Sequence, residues 1–285
     1  MALLAHANVP VSQLSGAWGA PPLVVFTAIV AVALFAQALV RLRERGRPDL
    51  APWSRVFLFG AAVTIGVLAL VSPLHPAADQ YLLSAHMLQH VLIGDVVPLL
   101  LVLALRGPLM FFFLPAPVLR TLAGFRPLRA ALSFLLKPVV SLAAWTLVMY
   151  AWHIPAVYDA TLSRPALHDL EHALFLFVGL LIWIQLIDPA GHRRLTRGGR
   201  ILLALGVVAL GHPVIDALVF SDHALYPAYA NQPARLLGIS PLTDQRLAGL
   251  VMFVEQTITF GACIGVLLWP YLKDRRRRLE EVRAA

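Results

Sequence analysis

The sequence predicts an all-helical, polytopic membrane protein with seven transmembrane helices, and three observations carry that reading. Of 285 residues, 59% are hydrophobic and 13% charged, with a mean hydropathy of +0.77, well outside the mix of a soluble domain. The apolar residues gather into seven runs of about the 20 residues that spanning a bilayer requires. The basic residues fall between those runs, on alternate connections, as they do in the cytoplasmic loops of membrane proteins.

The runs cover residues 21–40, 54–72, 84–105, 133–152, 167–187, 200–220 and 246–271, in a single membrane domain over 1–285. The first connection carries Arg41, Arg43, Arg45 and Arg47, with Arg55 just beyond. The third carries Arg106, Arg120, Arg126, Arg129 and Lys137, and the fifth Arg193, Arg194, Arg197 and Arg200. The tail adds Lys273, Arg275, Arg276, Arg277, Arg278 and Arg283. Of the 23 Lys and Arg, only Arg164, Arg235 and Arg246 fall on the other side. The N-terminus is therefore expected outside and the C-terminus in the cytoplasm.

Two connections are unusual. Residues 107–132 set Met110-Phe111-Phe112-Phe113 among four prolines; this apolar run is too short to span and is expected to lie along the cytoplasmic interface, partly helical. Residues 221–245, with Tyr226, Pro227, Tyr229, Pro233 and Pro241, read as an ordered outer cap. The arginine run of the tail reads as a stop-transfer anchor on anionic lipid.

Several function classes are set aside. The net charge of +8 is dispersed over membrane-flanking clusters, which argues against nucleic-acid binding. The lone Cys263 permits no intrachain disulfide and lies in an apolar run as a packing residue. The first 20 residues lack the basic and apolar regions of a cleaved signal. No nucleophile triad or glycine-rich nucleotide loop is present, and no matched pair of interrupted spans suggests a transporter.

Histidine placement carries the functional reading. Of the 10 histidines, His6, His75, His86, His90, His153, His168, His172, His212 and His223 map to the outer half or outer loops, and His192 alone is cytoplasmic. His86 and His90 open the third span and His168 and His172 the fifth. Residues i and i+4 share one helix face, so each pair is a chelating arrangement. His153 closes the fourth span at similar depth. A lone histidine such as His75 or His223 reads as an interfacial residue; two such pairs with His153 read as metal ligands. Met87, Met149 and Met252 offer soft sulfur nearby, which tilts the choice towards Cu(I) over zinc, although for the methionines themselves helix packing is the better reading. Deeper in the spans sit Asp95, His212, Asp216 and Glu255, functional candidates because intramembrane ionisable groups are costly. Asp95 lies off the His86/His90 face and reads as a supporting or helix contact. His212 and Glu255 are candidates for a carboxylate–imidazole pair.

Four segments then resemble a known family: Ser84-Ala85-His86-Met87-Leu88-Gln89-His90, Trp152-His153-Ile154-Pro155-Ala156-Val157-Tyr158-Asp159-Ala160, residues 168–179, and residues 241–252 beginning Pro241-Leu242-Thr243-Asp244-Gln245. In order and spacing they are similar to the CtaG-like cytochrome c oxidase assembly factors of bacteria, from about the second span to the C-terminus. The resemblance implies a multi-pass plasma-membrane protein needed to make active haem-copper oxidase, an assembly factor rather than an enzyme. It carries over His86, His90, Trp152, His153, Tyr158, His172, Asp244, Gln245 and Met252. The chain departs from the family pattern at Phe253-Val254-Glu255-Gln256 and at Gly211-His212-Pro213.

The expectation is a copper-handling protein that holds Cu(I) at His86, His90, His153, His168 and His172 and passes it to an oxidase subunit. Met87, Asp95, Glu171, His212, Asp216, Asp244, Met252 and Glu255 stand as additional or supporting residues. Zinc and haem remain open as cofactors. The alternatives are a haem b or quinone redox protein, and a metalloenzyme using Glu171 or Glu255 as base.

Overall fold

A computed structural model describes residues 9–192 and 194–284, with 277–279 and 282–284 described in backbone only. His6 and Arg193 lie outside the described residues, as do the side chains of Arg277, Arg278 and Arg283. Among the described residues the secondary structure is helical, without strands.

The long helices follow the predicted runs. Helices α1 (Pro22–Glu44) and α2 (Trp53–Val71) are joined by a short basic turn, and α3 (Leu74–Gln80) is a single extra pair of turns before the third span. That span is α4 (Leu83–Val91), a π-helical segment at Leu92–Val96, and α5 (Val97–Ala104). The sequence suggested a regular helix over 84–105. The π segment widens it by a residue at Gly94 and Asp95, a distortion that commonly marks functional positions. Connection 107–132 forms α6 (Pro108–Phe113), α7 (Ala116–Gly124) and the start of α8 (Arg126–Leu135).

The fourth span differs from expectation. Residues 133–152 are not one helix: α8 and α9 (Pro138–Trp152) meet at an 80° bend. Pro138 excludes helical backbone at Lys137, whose ψ is 131°. Gln185 and Arg194 donate to the Leu136 carbonyl, and the Ser141 hydroxyl to that of Leu135, satisfying carbonyls the break exposes. Upright, the 15 residues of α9 rise about 22 Å, short of a bilayer core of roughly 30 Å.

Helix α10 (Pro155–Ser163) precedes α11 (Pro165–Ile187) and α12 (Arg197–Phe220), which runs on through Pro213. The connection 221–245 folds as a cap around α13 (Pro227–Ala230), with Tyr226 and Tyr229 buried. The last helix, α14, starts at Pro241 rather than 246 and continues past Pro270 to Ala284. Among the described residues, six helices are long and apolar enough to cross a membrane, and a seventh span results if the bent α8–α9 pair counts as one.

The α4–α5 unit is central, packed by α2, α3, α11 and α14, while α12 fills the space between α14 and α9. Large apolar side chains such as Phe57, Leu147, Leu202 and Val266 point outward, as lipid-facing residues do. Arg55, at the basic end of α2, donates to the carbonyls of Leu103, Ala104 and Arg106, satisfying the last turn of α5. Around the opposite end of α4, a core of Leu83, Met87, Tyr158, Phe175, Leu218 and Tyr229 encloses polar residues.

Candidate metal centre

The two HxxxH pairs meet. One ring nitrogen from each of His86, His90, His168 and His172 lies within 4.8 Å of the others, and none of the four residues is more than 6% exposed. Within each pair the i, i+4 rings have centroids 4.3 Å apart, and across the pairs His86–His168 and His90–His172 are separated by 5.1 and 5.4 Å.

Three local features bring the pairs into register. The first is the start of α4. Its leading N–H groups have no partner within the helix, and the Asp244 carboxylate of α14 supplies one: Leu83 N donates to Oδ2 at 2.7 Å, Ser84 N to Oδ1 at 3.2 Å and the Ser84 hydroxyl to Oδ1 at 2.5 Å. Asp244 thus acts on the site by fixing the helix that carries His86 and His90. The second is Pro165 in the first turn of α11, a favoured position for proline, which starts that helix three residues before His168. The third is a glycine contact: a Cβ on Gly179 of α11 would overlap the Gly94 carbonyl, so only glycine permits so close a crossing of α11 and the π segment that continues α4.

Hydrogen bonds then select the ring tautomers. The Tyr229 hydroxyl donates to the Ala78 carbonyl at 2.6 Å, so it accepts from His86 Nδ1, 2.9 Å away. A neutral His86 therefore carries its proton on Nδ1 and a lone pair on Nε2. That Nε2 sits 2.8 Å from His90 Nε2, which must be the donor of this bond. Tyr158, whose hydroxyl is 3.3 Å from that of Tyr229, closes the phenol pair over the cluster. Burial pushes both phenols well above their ordinary range, which keeps them protonated donors.

Two buried carboxyls flank the imidazoles. Glu171 Oε1 lies 3.7 Å from His90 Nε2, and Asp79 of α3 places Oδ1 3.7 Å from His168 Nδ1 and Oδ2 3.6 Å from His75 Nε2. His75, expected as a lone interfacial residue, is thus part of the site. Its ring stacks 5.8 Å from that of His168, and Gln89 Nε2 meets its Nδ1 at 3.1 Å while donating to the Ala69 carbonyl. The signal was present in the sequence: His75 and Asp79 have the same i, i+4 spacing as the histidine pairs. Tyr229 gave no such signal, because a loop residue reaches His86 only through tertiary folding. His223, by contrast, is exposed and pairs with Asp222.

The other predicted residues fall elsewhere. His153 stands apart from the four-histidine cluster: its Nδ1 lies 2.7 Å from the Met149 carbonyl, and it borders a neighbouring cavity with His90, Met87, Met149 and Met252. The break after Trp152 turns the ring back onto its own last helical turn. Asp95 accepts from the Trp183 indole and meets the carboxyl of Glu255. The anticipated His212–Glu255 pair is replaced by that contact. His212 Nδ1 lies 2.8 Å from the Val208 carbonyl, one turn back, and its ring meets Phe253 edge-on. Asp216 is exposed on α12, about one turn from its C-terminal end, and does not reach the site. Gln245 holds the cap, accepting from Leu225 N and donating to the Leu218 and His223 carbonyls.

A helical membrane protein with a buried four-imidazole centre at one end of its central helix is the class that fold and site define. Within that class, the chain belongs to the cytochrome c oxidase caa3 assembly factor family (Caa3_CtaG), whose model matches residues 33–274. Searches of curated proteins and of solved structures give no match.

Proposed function

We propose that this protein is a copper-handling assembly factor of the bacterial plasma membrane, holding Cu(I) as cargo among His86, His90, His168 and His172 and delivering it to an oxidase subunit. The carrying observation is the convergence of four buried imidazole nitrogens within 4.8 Å. Nitrogen ligands about 2.0–2.1 Å from a tetrahedral ion are roughly 3.4 Å apart, so small rotations of the rings accommodate one. The tautomer of His86 already directs a lone pair inward. A monovalent ion among neutral imidazoles needs only one counter-charge, which ionisation of the buried Glu171 carboxyl beside it would supply, and this favours Cu(I) over a divalent ion.

The packing of the rings, with centroids 4.3–6.5 Å apart, supports an ion rather than a macrocycle. The distribution of Lys and Arg supports seven spans with the N-terminus outside, and with it a cluster near the extracytoplasmic surface, where an oxidase copper centre would be loaded. Metal analysis of detergent-purified protein tests this reading. Wild type is expected to bind copper, and the His86→Ala/His90→Ala variant to lose it. Absence of copper from wild type, or visible haem absorbance in its place, would overturn the assignment.

A further inference from the structure

One turn further along α4 from the imidazole cluster lies a cavity of about 50 Å³, room for roughly three or four waters. Its lining is chemically one-sided. Met87, Met149 and Met252 bring three thioethers, all at most 8% exposed, from α4, α9 and α14. His90 and His153 bring imidazoles whose tautomers are set by their other nitrogens. The carbonyl beside His153 Nδ1 can only accept, so the proton is on Nδ1 and Nε2 holds a bare lone pair. His90 spends its Nε2 proton on His86, so its Nδ1 holds the bare lone pair. Both of these lone-pair nitrogens, His153 Nε2 and His90 Nδ1, are buried and without a hydrogen-bond partner, on residues that border the same cavity.

Unpartnered acceptors cost free energy in a membrane interior unless something electron-poor meets them. Two imidazole nitrogens and three thioethers form a donor set for a soft cation, and Cu(I) is the biological ion that favours it. The carboxyls of Asp95 and Glu255, on the same cavity wall and in contact with one another, share a proton and so supply at most one negative charge, without displacing the soft donors.

We propose that this cavity is a second Cu(I) site, built from Met87, Met149, Met252, His153 Nε2 and His90 Nδ1, and that His90 is common to both sites. Its two nitrogens face different neighbours, so an ion held by the four-imidazole cluster passes to the thioether site as the His90 proton moves from Nδ1 to Nε2 and the bond through Nε2 is traded for one through Nδ1, with no change of oxidation state; with both sites loaded, His90 serves the thioether site and His86, His168 and His172 hold the other ion. The inference rests on the copper-handling reading and adds a second station to it.

The test is Cu(I) titration of the full chain in detergent against a competing chelator, with copper X-ray absorption on the loaded protein. Wild type is expected to bind about two equivalents and show sulfur as well as nitrogen scattering. Met149→Leu/Met252→Leu, close in volume and so retaining the fold, should drop to about one equivalent with nitrogen scattering only. His86→Ala/His168→Ala should keep one sulfur-ligated equivalent. If wild type binds one equivalent with nitrogen ligation alone, and the methionine variant matches it, the second site is refuted while the four-imidazole reading survives. If copper is lost from the methionine variant and fully retained by the histidine variant, the four-imidazole reading fails and the thioether site stands. No copper in wild type overturns both.

Discussion

Gly179 of α11 packs so closely on the backbone carbonyl of Gly94 that a methyl group at position 179 would occupy the same space as the oxygen. This contact brings the helix bearing His168 and His172 against the helix bearing His86 and His90. It also falls within the π segment, where the ladder of α4 is already altered to present Gly94.

Gly179→Ala is therefore expected to push the two helices apart. Overpacking of this kind costs about 1–3 kcal/mol, and the spread of the four imidazoles should weaken copper retention as well. Gly261→Ala, at a position with open space around it, is the control and should leave both unchanged. Thermal unfolding in detergent with copper analysis checks the pair; equal behaviour of the two variants would remove the glycine contact from the account.

Asp244 reaches the site only through α4. Asp244→Ala leaves the N–H groups of Leu83 and Ser84 without their acceptor and should cost about 1–2 kcal/mol, as loss of a helix cap does. Asp244→Asn keeps one acceptor oxygen and should fall between. Copper affinity should follow stability across the three proteins, because the carboxylate positions His86 without touching its ring.

Tyr229→Phe separates tautomer control from folding. Losing the acceptor for His86 Nδ1–H frees the ring to place its proton on Nε2, where it blocks the ion. Copper affinity should fall by about 10-fold or more, the usual effect of removing a partner that orients a ligating histidine. Tyr158→Phe, with its longer 3.3 Å contact to Tyr229, should have the smaller effect.

The same two phenols set a pH signature. Burial raises the folded-state pKa of both, so their contribution to stability is present in full below the ordinary phenol value of about 10 and is lost as pH climbs above it. The unfolding temperature of the wild type should decline above about pH 10, and the Tyr158→Phe/Tyr229→Phe variant should decline less steeply. Copper affinity, which requires deprotonated imidazoles, should fall on the acid side and stay level from neutral pH to the onset of that decline.

Glu171→Gln keeps the shape and removes the ionisable carboxyl beside His90. If Glu171 balances a bound cation, affinity should drop roughly 10- to 100-fold while the metal-free protein unfolds at the same temperature or higher, since a buried carboxylate is costly without its counter-ion. Competition titration and unfolding of the metal-free form distinguish these effects.

The sequence by itself determined the membrane character, the positions of the long helices and the two facing histidine pairs, because hydropathy over about 20 residues and i, i+4 spacing are properties of a single helix. The bend at Lys137–Pro138 was local too, written in the proline, yet the apolar residues on either side let 133–152 read as one span. Tertiary structure alone decided which imidazoles share a centre. It joined His86 and His90 to His168 and His172, drew in His75, Asp79 and Tyr229, turned His153 to a separate cavity and matched Glu255 with Asp95 instead of His212. The physical reason is that a helix fixes only the side on which a residue projects; its neighbour depends on how closely two helices cross and at what rotation. Here two glycines, a π segment and a capping carboxylate from the far end of the chain set that crossing.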